Sequence, residues 1–177
     1  MQLRKIIKFS FEEEDKHTEQ RIERLPTINI PGTWGVNPGS KDAIRFSCSK
    51  PFLLTGFDVI GNWDEEFRVK YWIFKNEEEQ LEEQTNMEQD SPLYYDEYRA
   101  VLKINKGEGV YIEKGEKVDI VVEYQHKMSI PYYKGGKKFV KVKDECQLMF
   151  ENSPRDDNCT TQSEGMLPTL YGIVMCE

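Results

Sequence analysis

The chain has 177 residues, 38% of them apolar and 12% aromatic, enough for one domain with its own core and a short arm. Acidic side chains outnumber basic ones by 32 to 24, for a net charge of −8. Affinity for nucleic acids and anionic membranes rests on Lys and Arg facing phosphates, so this balance argues against both as the main partner.

Leu3 to Phe11 alternates apolar and charged residues around Ile7, Phe9 and Phe11, the period of a strand or extended arm. Ser10 and Glu13 are spaced as a capping box, and acidic residues 12–15 suit the first turn of a helix that must stop before Pro26. The apolar stripe of that helix is only Phe11, Ile22 and Leu25, too thin to fold alone. Residues 1–31 are therefore expected to form a charged arm, ordered by whatever Ile7, Phe9 and Phe11 lean on. Pro26, Pro31, Gly32, Gly35, Pro38 and Gly39 predict a structured loop over 26–41 rather than a regular element.

Past Asp42 the chain becomes a series of short strand-like runs. Ile44, Phe46 and Cys48 alternate, and Phe52 to Ile60 is an apolar run. Phe67, Val69, Tyr71 and Ile73 alternate with Arg68, Lys70 and Trp72, and Tyr98, Ala100, Leu102 and Ile104 alternate again. Residues 77–90 hold seven acidic side chains and no basic one, the composition of a solvated loop or edge strand, or else of a docking site for a basic surface. Lys114-Gly115-Glu116-Lys117 separates Val110–Glu113 from Val118–Tyr124 as a hairpin or tight connection. Phe139–Lys143, Gln147–Phe150 and Leu170–Met175 complete the series. About nine to eleven strands, with no amphipathic helices between them, predict an all-β antiparallel sandwich over residues 32–177. Ile44, Phe46, Val69, Tyr71, Leu102, Val122, Leu148 and Phe150 are its expected core.

Cys48, Cys146, Cys159 and Cys176 are far apart and form no Cys-x-x-Cys pair. Met1-Gln2-Leu3-Arg4-Lys5 leads into alternating and then acidic residues rather than the apolar stretch of an export signal. The expected compartment is the cytoplasm, with reduced thiols and an unused glycosylation sequon at Asn158-Cys159-Thr160.

Three ordered blocks resemble the PHR domain, named after the Pam/Highwire ubiquitin ligases and also found at the C-terminus of BTB-domain adaptors. The first is Trp34-Gly35-Val36-Asn37-Pro38-Gly39, followed by Asp42-Ala43-Ile44-Arg45-Phe46-Ser47 and Pro51-Phe52-Leu53-Leu54-Thr55-Gly56-Phe57. The second is Tyr132, Gly136, Val140 and Phe150, and the third Asn158, Thr160, Gly165, Leu167, Pro168 and Tyr171. The resemblance spans roughly residues 33–172. It implies a compact antiparallel β-sandwich and the recognition of other proteins, usually substrates or partners of ubiquitin ligase complexes. Tyr133, Cys159 and Asp58 stand where the family pattern has glycine, so these loops are expected to take other shapes here.

No catalytic constellation accompanies the fold. His17 and His126 are the only histidines, and no nucleophile elbow, phosphate-binding loop or His-Glu-x-x-His motif occurs. Asp64, Glu65 and Glu66 read as a solvated turn. No metal and no cofactor are expected, because Cys and His are too few and too scattered for zinc and the acidic run lacks a calcium-loop pattern. The lysines at 134, 137, 138, 141 and 143 follow Tyr132-Tyr133, and three readings stand: a single-stranded nucleic-acid surface, a solvated edge strand, or a patch facing an acidic protein. Trp34 is expected to pin the first loop. Trp63, Tyr132, Tyr133, Lys137 and Lys138 are the expected loop contacts, with Ile7, Phe9 and Phe11 as arm contacts. The leading expectation is a non-enzymatic adaptor or recognition module for other proteins. The alternatives are a structural subunit of a cytoskeletal or axonemal assembly, in cytoskeleton or cilium, and, on fold analogy alone, a carbohydrate-binding sandwich.

Overall fold

The computed structural model describes residues 18–61, 67–87, 94–96 and 99–175. In chain order its strands are β1 (Gln20–Glu23), β2 (Thr27–Val36), β3 (Lys41–Cys48), β4 (Phe52–Ile60) and β5 (Phe67–Lys75). Then come β6 (Glu78–Met87), β7 (Tyr94–Asp96), β8 (Arg99–Lys103), β9 (Val110–Ile112) and β10 (Val118–Tyr124). The last are β11 (Met128–Lys134), β12 (Phe139–Lys141), β13 (Gln147–Asn152), β14 (Glu164–Gly165) and β15 (Thr169–Val174). No α-helix occurs among the described residues.

Two six-stranded antiparallel sheets form the layers. One runs β1-β15-β4-β8-β7, with β9 also on β4; the other runs β12-β13-β3-β10-β5-β6. A small sheet, β14-β11-β2, completes the fold. The period of two decides which side chains enter the core. Ile44, Phe46 and Cys48 point inward from β3, Val69, Tyr71 and Ile73 from β5, Val118, Ile120, Val122 and Tyr124 from β10, and all are buried. The other layer supplies Phe52, Leu54, Phe57 and Val59 from β4. Phe57 meets Tyr71 edge to face, with ring centroids 5.2 Å apart. Every residue of the expected core is buried. The fold is the all-β sandwich that the strand pattern predicts.

Three expectations are corrected. Residues 26–41, expected as a loop, include the ten-residue strand β2. β2 lies at the edge of its sheet, and its pairing with β11 breaks at Pro131/Tyr132 so that residues 30–32 fall between registered partners. An edge strand with a bulge tolerates proline and glycine, so the usual loop signal does not hold here. The described part of the expected arm also belongs to the layers: β1 pairs with β15, and Ile22, Arg24 and Leu25 are buried. The helix expected after Ser10 begins outside the described residues, and its later part is strand β1. The acidic run expected as a loop or edge strand supplies β6, which ends its sheet.

Candidate binding surface

Beyond β11 the chain turns at Gly135, where φ is +83°, and passes close beneath the segment 160–165. The amide of Gly136 donates to the Ser163 carbonyl at 3.0 Å. A Cβ at Gly136 would collide with the Gln162 carbonyl oxygen, so only glycine allows this approach. The turn delivers β12 to the end of the second sheet. Val140 packs against the core, while Lys137, Lys138 and Lys141 are exposed. Phe139 is 47% exposed, and the Lys138 ammonium lies 5.7 Å from its ring centroid.

The backbone of this edge is also open. The Phe150 amide donates to the Lys138 carbonyl at 2.7 Å, and the Val142 amide to the Cys146 carbonyl at 2.9 Å. Because hydrogen-bonded pairs alternate in an antiparallel ladder, the peptide groups of Phe139 and Lys141 face away from β13. Beside the strand lies a cavity of about 430 Å³, lined by Glu23, Arg24, Pro26, Lys137, Phe139 and Lys141 among others, with the Glu23 carboxylate paired to Arg21.

Arg24 is buried there. Its Nε donates to the Leu167 carbonyl at 2.9 Å, and its Nη1 to the carbonyls of Thr161 at 2.8 Å and Gln162 at 3.1 Å. No carboxylate balances it among the described residues. Burial lowers the guanidinium to about 9, which still leaves it a cation at neutral pH. A buried positive charge therefore lies beside the exposed lysines and adds to their field.

A second concavity, of about 480 Å³, opens on the outer face of the same sheet between Lys41, Trp72, Phe74, Val121 and the turn 154–157. Glu79 on its rim has no cationic partner among the described residues, but the other charges in and behind it are largely occupied by one another. Arg45 donates to both carboxylate oxygens of Asp119, at 2.9 and 2.6 Å, and Ser153 Oγ donates to the same group at 2.8 Å. The Asp119 carboxylate, joined by Glu77, holds the Arg45 guanidinium above its ordinary range. Arg155 stacks 3.7 Å from the Phe74 ring centroid and pairs with Glu77 at 3.2 Å. Lys41 and Lys70 lie 5.3 and 4.7 Å from the Trp72 centroid, and the indole Nε1 donates to Glu82 at 2.9 Å. This network fastens the turn 153–157 to the sheet.

The segment after it is latched from within. Asp42 is buried and accepts from Thr160 Oγ1 at 2.6 Å and Asn158 Nδ2 at 3.1 Å. Burial pushes its carboxyl up to about 7, against the two hydrogen bonds that pull it down. The backbone at Cys159 keeps a φ of +68°, a conformation that glycine adopts without cost. The Trp34 indole donates to the Asn158 carbonyl at 2.9 Å, so this tryptophan, expected to pin the first loop, instead ties strand β2 to the segment around Asn158.

Of the expected contact residues, Lys137 and Lys138 come together on the shelf at β12. Tyr132 is half-buried with its ring against Trp34, centroids 4.8 Å apart. Tyr133, expected in a turn, is instead a strand residue of β11 and only 3% exposed, beneath the Arg99 guanidinium at 5.1 Å. Trp63, Ile7, Phe9 and Phe11 lie outside the described residues. Phe139 and Arg24 were missed. The signal for Phe139 is an aromatic directly after two lysines; Arg24 has none, since its importance comes from carbonyls more than 130 positions away.

Among the described residues no group of three or more His, Cys, Asp or Glu is arranged to hold a metal ion. No described helix is long and apolar enough to cross a membrane. A comparison with curated proteins finds no match. The family model of the PHR domain, by contrast, matches residues 28–171, which takes in the sandwich from β2 to β15. That match joins the Trp34 block, the shelf and the 158–171 segment in one frame, and the chain belongs to the PHR domain family.

Proposed function

We propose that this chain is a non-enzymatic recognition module of the cytoplasm that binds another protein through an acidic, extended segment. The observation that carries the reading is the shelf at β12. There an exposed phenylalanine stands among Lys137, Lys138 and Lys141, with outward peptide groups and a cavity alongside. An added strand would draw affinity from main-chain hydrogen bonds and orientation from the lysines. Membership of the PHR family supports an adaptor's role, because the resemblance implies recognition of partners for larger complexes.

The test is a fluorescence titration with a short synthetic peptide alternating Glu and Val, at low salt. The double variant Lys137→Glu/Lys138→Glu should weaken binding by on the order of tenfold, the equivalent of two partly screened ion pairs. Binding unchanged by this variant and by Phe139→Ser would sink the proposal.

A further inference from the structure

The sheet that carries the shelf ends in strands of opposite charge. At one end β12 and the turn leading into it present exposed Lys137, Lys138 and Lys141; at the other β6 presents exposed Glu78, Glu79 and Glu82. No described strand pairs with the far side of either. Charged side chains on an edge ordinarily guard against pairing with another chain. That protection works when both edges carry the same sign. Here each edge repels its own kind and attracts the other.

Much of this charge is uncommitted. Glu82 is held by Lys70 and Trp72, but Glu78 and Glu79 have no cationic partner among the described residues, and Lys137 and Lys141 no carboxylate. Few other surfaces compete for the role: Phe139 is one of only two large apolar side chains strongly exposed among the described residues.

We propose that this chain binds a second copy of itself head to tail, the lysine edge of one copy lying along the glutamate edge of the next. The proposal rests on the reading of the shelf as a dock for an acidic strand, and it names that strand as β6. Because the two edges lie at opposite ends of one sheet, the contact is heterologous. Each added copy leaves one edge open, so association continues into chains instead of closing at a dimer. A three-residue strand makes a short contact, so each link is weak and association needs high protein concentration.

The experiment is sedimentation of the full chain over a concentration series at low and high salt, with two charge-reversed variants. The wild type should grow in average mass with concentration at low salt and return to monomer when the charges are screened. Lys137→Glu/Lys138→Glu, which has two acidic edges, and Glu78→Lys/Glu79→Lys, which has two basic ones, should each stay monomeric alone. Mixed together, they should associate. A monomeric wild type at every concentration, variants that associate alone, or a mixture that does not associate would each overturn the proposal. Titration with the Glu/Val peptide separates the two readings. A monomeric chain that still binds the peptide rejects self-association and leaves the shelf; one that does not bind it rejects both.

Discussion

The segment 156–168 and the shelf at 137–141 lie side by side, tied by the hydrogen bond from Gly136 to Ser163. Both are rich in polar side chains, which are placed in opposite ways. Along the first, Thr160 and Asn158 close onto the buried Asp42, and three carbonyls between 161 and 167 close onto the buried Arg24. Along the second, lysines stand in solvent with no carboxylate on Lys137 or Lys141 among the described residues. Polar groups that find partners inside fix a conformation; those left outside without partners remain open to another molecule. Substitutions in the first region should therefore cost stability and leave peptide binding intact, and substitutions in the second should do the reverse.

The largest effect is expected where the latched region meets the core. Phe150 lies beneath Arg24, 6.0 Å from its guanidinium carbon, and Phe150→Ala should cost about 3–5 kcal/mol in urea unfolding. A cost below about 1 kcal/mol would mean that the core collapses around the gap and is not close-packed there. Next, Arg24→Met keeps much of the side chain's bulk and strips the donors from three carbonyls. It should cost roughly 3 kcal/mol, because hydrogen bonds from a charged donor are lost and their acceptors stay buried. A cost below about 1 kcal/mol would mean that the three carbonyls find other donors once the guanidinium is gone.

Asp42 gives a smaller and more specific test. Its carboxyl stands at about 7 in the folded chain against an ordinary value of 3.8. Between these values the folded chain holds more protons than the unfolded one, so stability falls as pH rises through that window and is level above it. The slope is at most about 1.4 kcal/mol per pH unit. Asp42→Asn lacks the titrating group, so its melting temperature relative to wild type should improve from pH 5 to pH 8. A relative decline would show that the two donors, not burial, control the group. The smallest effect on stability belongs to the shelf. Lys137→Glu/Lys138→Glu should change unfolding by no more than about 0.5 kcal/mol while weakening the peptide. A larger loss would mean that the lysines hold the fold.

The sandwich itself was readable because its central strands alternate cleanly. Ile44 and Phe46, or Val69, Tyr71 and Ile73, are spaced by two, and nothing interrupts them. The errors fall where the period breaks. The bulge at Pro131/Tyr132 shifts the phase of β11, so Ile130 and Tyr133 both turn inward although they are three apart. No count by twos places Tyr133 in the core, and the missing glycine made it look like a projecting turn residue. β1 is four residues long and owes its burial to β15, across nearly the whole chain. Half the shelf was visible as lysines. The other half, an edge with outward peptide groups, depends on which strand lies beside β13, and local sequence does not encode that.

The Asp42 latch also sets folding against covalent modification. Asn158 and Thr160 are the two outer residues of the only motif in this chain singled out for N-glycosylation, and the folded chain uses both. The amide nitrogen that would be joined to a sugar is the one that donates to Asp42, and the threonine hydroxyl is turned to the same carboxyl. A chain that folds first has withdrawn its acceptor from any transferase. A chain glycosylated first would carry a bulky group where Asn158 must approach Asp42, next to the carbonyl that Trp34 grips. Closure of the 156–160 segment and sugar transfer to Asn158 therefore compete for the same side chain, and the folded latch favours the unmodified one.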